Sequence, residues 1–342
     1  MINRYTDPNK LSDAQLRRLV RELEAKATGQ TTSDTVMPPL ATGPPESDIF
    51  APRSFEDYIG QERAKDICSI IVDAAKLEKR SLPNILVNGP YGLGKTTLAR
   101  LIMERLEQPY HLVDASIVSK LESISGNIII DEIHNLAPET CDRLNTLIDA
   151  DQVHIVGATV NPGLLPAAFR SRFRSVALED YTEDDITTIL QRSLERKKME
   201  FANDALIEIT KRSRLNPRHA LLQILSFALE VSALTGSETL TLKNVQMALV
   251  KLDIDDNGLT ALDRKYLSIL SSGKATGLLQ ITSILGLEAA TIEHEIEPYL
   301  LKKGLIERTS KGRILVEEMT DEELLRLLKE SITIREKRSK AY

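Results

Sequence analysis

From about Pro52 onward, short apolar runs alternate with longer stretches whose apolar positions recur every three or four residues. The short runs are NILVNG (84–89), NIIIDE (127–132), VHIVGAT (153–159) and SVALED (175–180). Their length and their branched side chains predict strands buried on both faces. TLARLIMERLE (97–107) takes up the helical period directly after the first run. Strand and helix in alternation predict an α/β fold, a parallel sheet covered by helices. From Thr182 to Leu252 no strand pattern is present, and the region reads as four helices. Two of them are EDDITTILQRSLERKK (183–198) and PRHALLQILSFALEVSAL (217–234). After the polar break DIDDNG (253–258), helices and a short hairpin around RTSKGR make a compact unit to about residue 316.

The two ends read differently. Ser12 with Gln15 forms a capping-box pattern, and Leu16, Leu19, Val20 and Leu23 then fall on one helical face. One short helix cannot bury such a stripe alone, so it predicts docking on this chain or on a partner. The stretch TGQTTSDTVMPPLATGPPESD that follows reads as a flexible linker. At the other end TDEELLRLLKES (320–331) predicts a last helix before the charged tail REKRSKAY. The expected division is therefore 1–50, 51–181, 182–252, 253–316 and 317–342.

Composition narrows the class. With 42% hydrophobic and 27% charged residues the chain is of ordinary globular type, and 342 residues suffice for two or three domains. A net charge of −6 argues against a surface coated in basic residues, although it leaves room for a local basic patch. Cys68 and Cys141 cannot make a disulfide framework. No apolar run has the length of a membrane span, and the N-terminus lacks the apolar core of a signal peptide. The expected location is cytoplasmic, with no membrane partner.

GPYGLGKTT (89–97) carries the first chemistry. Gly89, Gly94, Lys95 and Thr96 fit the P-loop spacing, placed between a predicted strand and a predicted helix. Glycines there let backbone N–H groups turn inward around phosphate oxygens at a positive helix N-terminus. Lys95 brings a point charge to the β- and γ-phosphates of ATP, and the Thr96 hydroxyl suits Mg²⁺. Asp131 and Glu132 end the second strand run. One carboxylate at such an edge can hold a metal's hydration shell, and a second beside it can orient the attacking water. Thr159 ends the next strand, where a hydroxyl can meet the γ-phosphate or simply start a turn. Arg170 and Arg172 flank a loop, and Arg218 follows Pro217 at a helix start. On the residues alone each is either a phosphate-facing charge or a solvated surface arginine.

With those pieces assembled, the chain resembles the AAA+ ATPases and in particular the RuvB family of Holliday-junction branch-migration motors. The resemblance spans about residues 51–316 and rests on PRSFEDYIGQERAKD, GPYGLGKTTLA, IIIDEIHNLAPE, VGATVNPGLL, AFRSRF, NPRHALLQIL, ALDRKYLSIL and IEPYLLKKGLIERTSKGR. It implies an AAA+ core, a helical lid and a C-terminal winged helix. By that resemblance Gly92, Leu93, Gly94, Lys95, Thr96 and Thr97 hold the phosphates, with Thr96 and Asp131 on Mg²⁺. Glu132 completes Walker B, Thr159 is sensor 1, Arg172 the arginine finger, Arg218 sensor 2, and Tyr181 lines the nucleotide site. Arg308, Lys311 and Arg313 in the hairpin wing are the implied DNA-backbone contacts. Lys302, Lys303, Arg308, Lys311 and Arg313 against Glu307 give that segment a local charge of +4, which suits phosphate contacts without much sequence preference.

The chain also departs from the family pattern. Asp131 and Thr159 are only 28 residues apart, and the segment missing between LIDA and DQVHIVG is where the family carries the β-hairpin that docks RuvA. Asn161 replaces an arginine after sensor 1, Ala51 an arginine near the adenine, and Tyr91 the second P-loop proline. Leu215-Asn216-Pro217-Arg218 replaces Gly-Thr-Pro-Arg. No catalytic group is lost. The expectation is an ATP-hydrolysing homo-oligomer, a hexamer by family, that moves duplex or junction DNA with an adaptor other than standard RuvA. The alternative is an ATPase that remodels or loads a protein partner, with the winged helix as anchor.

Overall fold

The computed structural model describes residues 50–316 apart from Glu122 and Ser272. The expected N-terminal helix, its linker, the last helix and the charged tail lie outside the described residues.

Five parallel strands form one sheet in the order β2-β3-β4-β1-β5. They are β1 (Ile85–Asn88), β2 (Tyr110–Asp114), β3 (Gly126–Asp131), β4 (Val153–Thr159) and β5 (Arg174–Ala177). The apolar runs correspond to four of them. The fifth, β2, lies at the sheet edge beside β3, and of its five residues only Tyr110 and Val113 are buried. An edge strand needs no unbroken apolar run, so it left no such signal.

The alternation of β-strand side chains sorts the core into two layers. Ile85, Val87, Ile129 and Val156 face the helices Glu62–Glu78 and Lys95–Leu106 and share a buried cluster with Val72, Leu98 and Ile102. Leu86, Ile128, Ile130 and Ile155 face the other way, against Cys141 and Leu144 of the helix Pro138–Asp149 and against Phe169. That helix reaches β4 through residues 150–152 alone, so no hairpin stands between them.

After β5 the chain becomes helical, as the pattern predicts. Thr182 starts the helix Glu183–Arg196 with a capping box closed by Asp185. The helix Asn203–Arg212, a wide-turn segment His219–Leu225 running into Ser226–Leu234, and Leu242–Leu252 complete a bundle. A two-residue parallel pair, β6 (Glu200–Phe201) with β7 (Thr239–Leu240), ties it at one end. Ile186, Leu190, Ile209, Ile224 and Leu249 of this bundle belong to the same buried cluster as the first face of the sheet.

Residues from Leu259 onward have a core of their own around Tyr266, Leu270, Ile281, Ile292 and Leu300. The hairpin strands β8 (Ile306–Thr309) and β9 (Gly312–Leu315) pair antiparallel with Arg308 opposite Arg313. An isolated bridge from Thr276 to Arg313 adds a third segment, giving the outline of a winged helix. Gly312 is required there, because a Cβ would meet the Thr276 carbonyl oxygen at 2.4 Å. This unit is tied to the rest by Arg214, which pairs with Asp263 and stacks 4.7 Å from the Tyr299 ring, and by Lys302 on Asp180 at 2.8 Å.

Candidate nucleotide site

Parallel strands deliver their C-terminal residues to one edge, and the site is built there. Asn88 at the end of β1 pairs with Thr159 at the end of β4, and Asp114 pairs with Asp131 at the ends of β2 and β3. The loop after β1 carries Gly92 at φ 80° and Gly94 at φ 91°. Neither tolerates a side chain. A Cβ on Gly92 would meet Asn216 Oδ1 at 2.3 Å, and one on Gly94 would meet the Tyr58 hydroxyl at 2.8 Å.

Lys95 opens the following helix and is buried. Its Nζ donates to the Pro90 carbonyl at 2.9 Å and lies 5.4 Å from the Tyr91 ring centroid. Burial draws its ammonium below the ordinary lysine range, opposed by the charges of Glu132 and Asp131. The Thr96 hydroxyl sits 3.0 Å from both carboxylate oxygens of Asp131. A hydroxyl and a carboxylate brought together beside a lysine form an oxygen donor set fit for Mg²⁺.

Glu132 follows in the left-handed region at φ 47°, with its amide donating to Asp131 Oδ1 at 3.1 Å. Burial first, then the neighbouring Asp131 charge, lifts its carboxyl above the usual carboxylate range. Its Oε2 lies 3.3 Å from His134 Nδ1, and the same nitrogen is 3.1 Å from the Thr159 hydroxyl. Thr159 is fully buried, and its Oγ1 accepts the Asn161 amide at 3.1 Å.

A cavity of about 240 Å³ opens over this cradle, lined by Lys95, Thr96, Asp131 and Glu132 and by the apolar Ala51, Ile59, Ile189 and Leu222. Two tyrosines hold its floor. Tyr58 donates to the carbonyls of Leu93 and Gly94 at 3.3 Å each, and Tyr181 donates to the Leu93 carbonyl at 3.2 Å. Arg218 lines the cavity from the helical bundle. It is placed by consecutive left-handed residues, Arg214 (φ 61°) and Leu215 (φ 54°), and by Asn216, whose Nδ2 donates to the Tyr91 carbonyl at 2.8 Å. An apolar slot beside a glycine cradle, closed by a lysine and two carboxylates, accepts a nucleoside triphosphate.

The chain matches the profile of the Holliday junction DNA helicase RuvB P-loop domain over residues 50–148 and that of the RuvB C-terminal winged helix domain over 256–324. The RuvB subunit of the Holliday junction branch migration complex from a Nitratiruptor species is 33% identical over 295 residues, 77% of this chain and 88% of that protein. The corresponding subunit of Campylobacter jejuni is 35% identical over the same shares. This chain belongs to the RuvB family. The solved RuvB Holliday junction branch migration motor of Thermotoga maritima has the same fold, with 33% identity, a TM-score of 0.71 and coverage of 79% of this chain and 96% of that one. The alignments to relatives are longer than the part of this chain they cover, so those RuvB subunits carry residues without a counterpart here. Nucleotide binding and an ATP-hydrolase class come with the RuvB P-loop family.

The structure gathers Gly92, Leu93, Gly94, Lys95, Thr96, Thr97, Asp131, Glu132, Thr159, Tyr181 and Arg218 around one edge. Arg172 stands apart. Its guanidinium binds Asp149 through Nε and Nη2 at 2.9 and 2.7 Å, at the surface. The sequence pattern assigns no site role to Tyr58, Asn216 or His134; the fold brings the first two in from elsewhere, while His134 follows Glu132 by two positions.

The wing arginines occupy a less open setting than the charge count implies. Glu297 is fully buried and accepts Tyr266 at 2.8 Å, Arg308 Nε at 2.6 Å and Arg313 Nε at 2.8 Å. Arg313 also reaches Glu293 at 2.8 Å. Arg308 keeps nearly half its side chain exposed, and Lys311 is exposed at the tip. Two of the five basic groups counted there are thus neutralised by glutamates within the winged unit, and Lys302 by Asp180.

Proposed function

We propose that this chain is an ATP-driven motor of the RuvB type, acting on duplex or junction DNA as an oligomer, in which Lys95, Thr96, Asp131, Glu132, Thr159, Arg172 and Arg218 run the hydrolytic cycle. The observation that carries the reading is the pairing of Thr96 with both oxygens of Asp131, with Glu132 beside it and Lys95 below, in a chain that ends in a RuvB winged helix.

Thr96 and Asp131 would hold Mg²⁺, which spreads the charge of the β- and γ-phosphates. Lys95 exchanges the Pro90 carbonyl for a phosphate oxygen. Glu132 orients and polarises water, while Thr159 presents its hydroxyl to the γ-phosphate. Arg172 leaves Asp149 to reach a neighbouring subunit's site, which makes an oligomer, a hexamer by family, part of the mechanism. Lys311 and the exposed part of Arg308 grip DNA phosphates.

A second reading, an ATPase that remodels a protein partner, is favoured by the internal pairing of Arg313 and Arg308. The three-residue passage from Asp149 to Val153 supports an adaptor other than standard RuvA. Steady-state ATP hydrolysis with linear duplex, single strand and a four-way junction separates the readings. Stimulation by duplex or junction that is lost in Lys311→Ala/Arg308→Ala supports the motor. Activity indifferent to every DNA overturns it in favour of remodelling.

A further inference from the structure

His134 has no role in the reading above, yet it stands between two residues that do. Its Nδ1 lies 3.1 Å from Thr159 Oγ1 and 3.3 Å from Glu132 Oε2. Its side chain is only 9% exposed, so water does not compete freely for that nitrogen. Glu132 Oε2 is itself shielded from solvent and makes no well-formed hydrogen bond with the imidazole turned toward Thr159. One ring nitrogen therefore faces both the carboxylate proposed to activate water and the hydroxyl proposed to meet the γ-phosphate.

The proton count decides what the imidazole does there. Thr159 Oγ1 already accepts the Asn161 amide. If Nδ1 carries the proton, Thr159 accepts twice and its own hydrogen is left for a phosphate oxygen. The same N–H is within reach of Glu132 Oε2 after a small rotation of either side chain. If Nδ1 were bare, its lone pair would face the Glu132 carboxylate, and the Thr159 hydrogen would be spent on the ring. Only the first arrangement leaves Thr159 and Glu132 both ready for their parts.

We propose that His134 is a positioning residue for ATP hydrolysis, its Nδ1–H shared between Thr159 and Glu132 so that the γ-phosphate contact and the water-activating carboxylate are set together. The proposal rests on the assignment of Glu132 and Thr159 made above. It requires no change of charge at the ring.

Single-turnover hydrolysis of saturating ATP by the full chain, with equilibrium binding of a non-hydrolysable ATP analogue, tests it in His134→Phe and His134→Asn. Asparagine keeps an N–H near the Nδ1 position, and phenylalanine fills the space without one. The expected result is a fall of about 10- to 100-fold in turnover for His134→Phe with analogue affinity little changed. His134→Asn should recover most of the loss, which a purely space-filling role would not produce. Parental turnover in His134→Phe overturns the proposal, and so does His134→Asn as slow as His134→Phe. Should the phenylalanine variant not fold, His134→Ala takes its place under the same criteria, with thermal melting to establish that it is folded. Glu132→Gln is measured alongside. If it turns over normally, the assignment of the site falls; if it is inactive while His134→Phe is normal, only the role of His134 falls.

Discussion

Arg172 and Arg313 were both expected to put a guanidinium on a phosphate, and both are bound to a carboxylate of their own chain. The settings differ. Arg172 is 29% exposed and its partner Asp149 is 59% exposed, whereas Arg313 is 13% exposed and its partner Glu297 is fully buried. An exposed ion pair is worth little, because water and salt replace either partner readily. A buried carboxylate holding two arginines and a tyrosine is another matter, since withdrawing one partner leaves charge stranded away from water. The comparison teaches that a basic residue's availability is set by its partner's burial. Arg172 rests on a partner that water can replace, and Arg313 is part of the frame.

The largest effect that sharpens this contrast should fall on turnover. Arg172→Ala is expected to lower hydrolysis in the assembled protein by about 10³-fold while leaving the melting temperature of the single chain unchanged. Steady-state hydrolysis above the assembly concentration measures the first half, and thermal melting below it the second. Glu297→Ala comes next. It strips Arg308, Arg313 and Tyr266 of a shared acceptor, and a loss of about 3–5 kcal/mol in the stability of the winged unit is expected from urea unfolding. A wing as stable as the parent would break the comparison. Arg313→Ala should cost about 2 kcal/mol by the same measurement, since Glu297 keeps two other donors. If Arg313→Ala instead leaves stability untouched and abolishes DNA binding, Arg313 belongs with Arg172. The smallest effect is expected for Asp149→Asn, which frees the Arg172 guanidinium; on the proposed finger role it raises hydrolysis at low protein concentration by no more than about threefold.

Much of the site was legible because it is local. The cradle, Lys95 and Thr96 lie in nine consecutive residues, and Asp131, Glu132 and Thr159 are found by walking to the end of an apolar strand. The order of the sheet then does the rest, since β4 sits between β1 and β3. What escaped the pattern is non-local. Tyr58 reaches the Leu93 carbonyl across 35 positions and Asn216 reaches Tyr91 across 125, and neither carries a signal of its own. β2 was missed because its edge position buries only part of it. The wing's charge count is incomplete for the same reason: Glu297 and Glu293, on the helical segments before the hairpin, meet Arg308 and Arg313 only once it folds back.

One ring in the P-loop has a thermodynamic consequence. Tyr91 lies under the Lys95 ammonium, 5.4 Å from its centroid, and packs edge-on against His294 of the winged unit at 5.9 Å. On the proposed exchange of the Pro90 carbonyl for a phosphate oxygen, Lys95 would leave a ring that also carries the His294 contact. Any free energy that a nucleotide thereby adds to or removes from the orientation of the winged unit must be returned, with the same magnitude, when a ligand reorients that unit first. Any coupling between the nucleotide site and the winged unit is then an equality with no preferred sender, and its size can be read from either side.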